Sequence, residues 1–121
     1  MGVGERNRAR RDRFEELVAE ALDGLPEWVH ERMTNVEVVL EDRPPPGQPN
    51  LLGLYEGIPL TNRDGGYTFV LPDRISLFRS TLEARARSDE ELRQAVRHTV
   101  VHEIAHHFGI SDDRLREMDR Y

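Results

Sequence analysis

The chain has 121 residues, a formal net charge of -6, 37% hydrophobic and 33% charged residues, and no cysteine. That length suits one compact domain with a single modest core, and the hydrophobic content is above that of a disordered chain. The acidic balance argues against nucleic acid as the main partner, because phosphate binding needs a concentrated basic surface, and the missing cysteines exclude disulfides, thiolate metal ligands and a cysteine nucleophile.

All 17 basic residues are arginine, and only positions 6 to 13 are locally basic, the simplest reading of which is a solvated helix start. No apolar run of signal-peptide length follows that start, and no later segment approaches a membrane span, so a soluble cytoplasmic protein that engages no membrane is expected.

From Arg11 to Leu22 the apolar residues Phe14, Leu17, Val18, Ala21 and Leu22 recur at helical spacing, and Gly24-Leu25-Pro26 ends the run. Pro26 to Met33 reads as a short second helix with Trp28, Val29 and Met33 inward. Val36 to Leu40 is β-branched and stops before the proline cluster at Pro44 to Pro46, which marks a strand and a loop. Leu51 to Tyr55, Tyr67 to Leu71 and Ile75 to Phe78 are three further strand candidates, giving a small sheet. Ser88 with Glu91 three positions on is a capping-box pattern, and Gly109 stands where a helix commonly stops, so one long helix is predicted between them. Asp112-Asp113-Arg114-Leu115 suggests a last short helix capped by an aspartate. No internal repeat or linker is visible. The class is α+β.

The long helix carries the chemistry. Residues 102 to 112 read HEIAHHFGISD, and histidines four apart differ by about 40° around a helix axis, so His102 and His106 face one point. Leu92, Val96, Val100, Ile104 and Phe108 form a stripe every fourth residue on the other side, the predicted core contact. Glu103 lies about 100° from His102, beside a metal held there without competing for the same direction. Zinc suits neutral imidazole and carboxylate ligands, and a catalytic zinc needs three protein ligands with one position open. Gly109 lets the chain turn back, so that Asp112 supplies the third ligand, with Asp113 a less favoured substitute. The chemistry such a set supports is metal-assisted amide hydrolysis, with Glu103 taking the proton of the attacking water and delivering it to the leaving amine.

These residues resemble the minimal zincin-like metallopeptidases, short bacterial proteins whose signature is similar to HExxHxxGxxD. LPDRISLF from Leu71 to Phe78, EELRQAVRHTVVHEIAHHFGI and the following DDRL also look like that family. The resemblance covers most of the chain, residues 1 to 121 being read as a single domain. It implies a minimal zincin-like fold, a small mixed sheet packed on a long metal-binding helix with further short helices. It further implies one zinc ion on His102, His106 and Asp112, and Glu103 in the catalytic position. Metzincins, similar in this stretch, place histidine where Asp112 stands and add a lower subdomain with a methionine turn, for which Met118 is a weak counterpart. The resemblance therefore implies metal binding more firmly than proteolysis.

Other residues carry plainer expectations. His98, one turn before His102, is a supporting group, an alternative ligand or, more commonly, a solvated residue. His107 points about 100° from His106 and is expected to pack within the fold, and His30 is given a structural role. Tyr121 and Arg114 are candidate oxyanion stabilisers. Trp28, Phe14 and Phe108 are expected in the core. The cleft strand that would pair with an extended substrate is Ile75 to Phe78 or Tyr67 to Leu71. The leading function is a zinc-dependent peptidase acting on peptide or protein substrates. The alternatives are a non-catalytic zinc-binding or partner-binding protein, and a half-cleft completed by a homo-oligomer or an activating partner.

Overall fold

The computed structural model describes residues 2–57 and 71–118. In chain order these form α1 (Val3–Asp23), α2 (Glu27–Arg32), β1 (Val36–Glu41), β2 (Gly53–Glu56), β3 (Asp73–Phe78), α3 (Arg79–Ala84), α4 (Asp89–His107) and α5 (Asp112–Met118). Helices and a small mixed sheet make this an α+β fold of the minimal zincin-like kind.

The sheet order is β1-β3-β2, with β1 parallel and β2 antiparallel to β3. β3 is therefore the central strand. Its residues Ile75 to Phe78 are buried in succession, as expected of a strand covered on both faces. This corrects the expectation that Ile75 to Phe78 could receive a substrate: its backbone groups are already paired on both sides. Among the described residues the edges are β1 and β2. The other candidate, Tyr67 to Leu71, lies outside the described residues except for Leu71, which is exposed and not in a strand.

α4 forms the spine of the core. Leu92, Val96, Val100, Val101 and Ile104 are buried against Phe14, Leu17, Val18 and Ala21 of α1 and against Ile75 and Leu77 of β3. Val29 and Leu115 bring α2 and α5 into the same cluster, with Trp28 and Met33 partly buried against it. Phe108 departs from its expected core position, being 44% exposed, with the Arg32 guanidinium 5.5 Å from its ring centroid. A stripe spaced by four drifts about 40° per step, so Phe108, sixteen positions after Leu92, has rotated roughly 160° away from it. Phe108 is also the C-cap of α4, past the last helical turn that the core covers.

α1 begins eight residues earlier than its apolar pattern does, at Val3 rather than Arg11. Its first turns, about three at 3.6 residues each, bury nothing, the first buried residue being Phe14, so no hydrophobic period could announce them. α3 also escaped prediction, because only Leu82 of its six residues is buried. Its Thr81 hydroxyl donates to the Leu51 carbonyl at 2.6 Å, tying the approach to β2 against the end of β3.

β2 lies against α4 through Gly53. A Cβ at Gly53 would meet Thr99 Cγ2 at 2.7 Å, the Ser76 carbonyl oxygen at 3.1 Å and Leu77 Cδ2 at 3.3 Å. Overpacking of this kind costs about 1–3 kcal/mol, so Gly53→Ala should lower the thermal midpoint by roughly 4–12 °C. Thr99→Ser removes the clashing methyl and keeps the hydroxyl that donates to the Ala95 carbonyl at 2.8 Å. The double variant should therefore recover part of the loss in a calorimetric double-mutant cycle; strict additivity would show that the two residues do not meet.

Candidate metal centre

Both ends of α4 are built by local sequence. Ser88 is the N-cap, extended at φ -153° and ψ 166°, and its Oγ accepts from the Glu91 N–H at 3.1 Å. Glu91 reaches back in turn to accept from the Arg87 N–H at 2.8 Å, one residue before the usual partner of a capping box. At the far end Gly109 takes φ 71°, a conformation that costs glycine little. Its N–H donates to the His106 carbonyl at 3.2 Å while that of Ile110 donates to the Ala105 carbonyl at 2.8 Å. These two bonds form a Schellman ending.

The chain restarts as a helix almost at once. Ser111 Oγ accepts from the Arg114 N–H at 3.1 Å, and Leu115 is buried beneath. Ser111 is thus the N-cap of α5, in place of the predicted aspartate, and Asp112 becomes the first residue of that helix. Two caps and one buried leucine hold Asp112 opposite α4.

His102, His106 and Asp112 consequently come together. One ligating atom from each lies within 4.8 Å of the others, with His102 half-buried and the other two exposed. Tetrahedral zinc, with bonds of about 2.0–2.2 Å, needs ligand atoms roughly 3.3 Å apart. Two imidazole nitrogens and a carboxylate oxygen are a donor set that zinc accepts, and exposed side chains can rotate to close the remaining gap. The residues present fit such an ion.

Glu103 is half-buried beside them, and its Oε1 accepts from the Tyr55 backbone N–H at 2.9 Å. This contact was not foreseen from sequence. Tyr55 belongs to β2, and an N–H that bonds to Glu103 points away from β3, along the open edge of the sheet. α4 and the edge strand are thus joined at the residue expected to act as base.

Tyr55 anchors a second group of side chains. Its hydroxyl donates to Asp73 Oδ2 at 2.6 Å, and its ring stacks on His107 with centroids 3.9 Å apart and planes at 22°. His107 Nε2 is 3.8 Å from the same Asp73 oxygen. His107 therefore packs on Tyr55 while remaining exposed, and it is not among the clustered ligand atoms, as its direction on the helix suggested, whereas nothing local in the sequence marked Tyr55 or Asp73. They meet only because Tyr55 pairs with Ile75, two residues from Asp73, in the β2–β3 ladder. His98 stacks on His102 at a tilt, with centroids 4.2 Å apart. Asp113 pairs with Arg116 at 2.7 Å instead of joining the cluster. Arg114 is exposed, and Tyr121 lies outside the described residues.

Burial first, and then the bond to Asp73, push the Tyr55 hydroxyl pKa above that of a free tyrosine. A group whose pKa rises on folding contributes stability below its unfolded pKa, near 10 for tyrosine, and loses it as the pH climbs toward the folded value. No lysine or cysteine is present to titrate in that range. The thermal midpoint should fall as pH rises above about 10, and Tyr55→Phe should flatten the fall. An unchanged slope in the variant would assign the alkaline loss elsewhere.

A mixed sheet lying on a helix that carries two histidines one turn apart, with a carboxylate returned by the next helix, defines a zincin-like class of protein. The chain belongs to the zincin-like metallopeptidase family, whose model matches residues 33–121. The match begins at Met33, so α1 and α2 precede it. Membership in a metallopeptidase family implies a bound metal. Among solved structures the chain is similar to a conserved hypothetical protein from Thermus thermophilus, with 26% sequence identity, a TM-score of 0.57, and coverage of 90% of this chain and 99% of that one. No curated protein matches the chain significantly. Among the described residues no helix is long and apolar enough to cross a membrane.

Proposed function

We propose that this protein is a zinc-dependent peptidase in which His102, His106 and Asp112 hold one zinc ion and Glu103 is the general base. The observation that carries the reading is the convergence of those three ligating atoms within 4.8 Å, with Glu103 on the adjoining helix position. Zinc bound there would acidify a water molecule and polarise the scissile carbonyl.

The remaining roles fall to the chain itself. With Oε1 fixed by the Tyr55 N–H, Glu103 keeps its second carboxylate oxygen for a proton, which it accepts from the attacking water and passes to the leaving amine. An extended peptide would lie along β2, the edge strand facing α4, and pair with outer backbone groups of that strand other than the Tyr55 N–H, which Glu103 holds. His98, against His102, would limit the rotation of that ligand.

The bond between Glu103 and Tyr55 also favours a second reading. A non-catalytic metal protein could keep Glu103 as a fastener between α4 and β2, with the metal tying α4 to α5. Hydrolysis of a mixed fluorogenic peptide set by zinc-loaded protein, compared with the Glu103→Gln variant, separates the two. Turnover that depends on Glu103 supports the peptidase, and no turnover in either protein leaves the fastener.

A further inference from the structure

Beside the metal cluster an open groove of about 580 Å³ runs along the N-terminal half of α4. Leu52, Ala95 and Thr99 give it an apolar floor, and Arg85, Arg97 and Gln94 stand among its polar walls. His98 closes the end nearest the metal site, its ring 4.2 Å from that of His102. Arg85 marks the other end, as the C-cap of α3 three residues before the Ser88 cap of α4.

Length and charge define an occupant. From Thr99 back to Glu91 is eight residues of helix, roughly 12 Å at about 1.5 Å per residue. That is the reach of about three to four residues of extended chain. Glu91, the acidic residue of the lining, is occupied by the Arg87 N–H at 2.8 Å. Arg97 lies 3.6 Å from Glu90, a loose pairing, and among the described residues Arg85 is exposed and takes part in no ion pair. Arg97 is thus partly balanced by Glu90, and Arg85 is the arginine of the lining left without an ion-pair partner among the described residues, in a chain whose net charge is -6. A groove with apolar groups along its length, ending at an uncommitted guanidinium, suits an extended peptide bearing a carboxylate.

We infer that this groove, three to four extended residues long, is a substrate subsite for peptides carrying a carboxylate at its Arg85 end, with Arg85 as the residue that selects it. The inference rests on the peptidase reading. The carboxylate is either an acidic side chain or the peptide's own C-terminus, and both present the same oxygen pair to the guanidinium. Arg97 reinforces the field from the side of α4.

The test reads binding rather than turnover. Three fluorescein-labelled alanine hexapeptides would be titrated by fluorescence anisotropy onto zinc-loaded Glu103→Gln protein: one with a free C-terminal carboxylate, one amidated, and one amidated with glutamate as its fifth residue. At least one carboxylate probe should bind about ten-fold more tightly than the neutral amide. Arg85→Ala should erase that advantage, Arg85→Lys should restore part of it, and Arg74→Ala, an exposed change outside the groove lining, should leave it intact. An advantage for one carboxylate probe alone identifies the source. Equal binding of all three probes, no binding of any, or an advantage that survives Arg85→Ala overturns the proposal. Carboxylate-dependent binding without hydrolysis by the wild type would keep the groove as a carboxylate-selective peptide-binding site and remove the peptidase reading.

Discussion

Replacing Glu103 by glutamine is expected to lower peptide hydrolysis by roughly 10²–10⁴-fold, the usual worth of a positioned general base, while the protein stays folded and retains its zinc. Glutamine suits the test because its side-chain oxygen can still accept the hydrogen bond that Tyr55 N–H now gives to Glu103 at 2.9 Å. The link between α4 and β2 is preserved and only the basic oxygen is lost. Glu103→Ala removes both. If Glu103 is a fastener, the alanine variant should lose thermal stability and the glutamine variant very little, and no activity should change in either. If it is a base, the two variants should lose similar activity despite different stabilities. Steady-state rates and calorimetry on the same preparations decide between these patterns, and wild-type rates in the glutamine variant would end the general-base assignment.

The second large effect concerns the metal. Wild-type protein purified without added metal should contain one zinc ion per chain by mass spectrometry. His102→Ala, His106→Ala and Asp112→Ala should each reduce that content nearly to zero, because two remaining ligands hold zinc far more weakly than three. Chelation should also lower the thermal midpoint, since a metal that binds only the folded chain adds its binding free energy to stability. Asp112→Ala is the most informative of the three. His102 and His106 are brought together by one helix whatever the chain does next, whereas Asp112 reaches them only if the Gly109 turn and the Ser111 cap both form. Full zinc content in Asp112→Ala would move the third ligand elsewhere, whereas zinc lost from Asp112→Ala and kept in Asp113→Ala would exclude the neighbouring aspartate.

Much of this site was legible because its parts are close in sequence. Helical spacing places His102 and His106 on one face, glycine is the residue that most easily takes the φ of 71° found at Gly109, and Ser88 with Glu91 announces the start of α4. Each is a local effect of backbone sterics or of a hydrogen bond within four residues. The apolar runs of α1 and β1 were visible for the same reason, since a period of 3.6 or 2 records which face will be buried.

What the sequence could not disclose depends on where elements meet. The order β1-β3-β2 makes Ile75 to Phe78 the central strand, and an apolar run reads the same whether it lies at an edge or in the middle. Phe108 continued a spacing that looked like core, yet the end of α4 left it in solvent. Tyr55, 48 positions from Glu103 and 18 from Asp73, joins both only because β2 folds back against β3 and lies on α4. That approach requires Gly53, where a methyl group would strike Thr99. Local periodicity and capping determined the helix that carries the histidines; strand order and close packing decided which backbone N–H holds Glu103, because those contacts are made across the sheet and not along the chain.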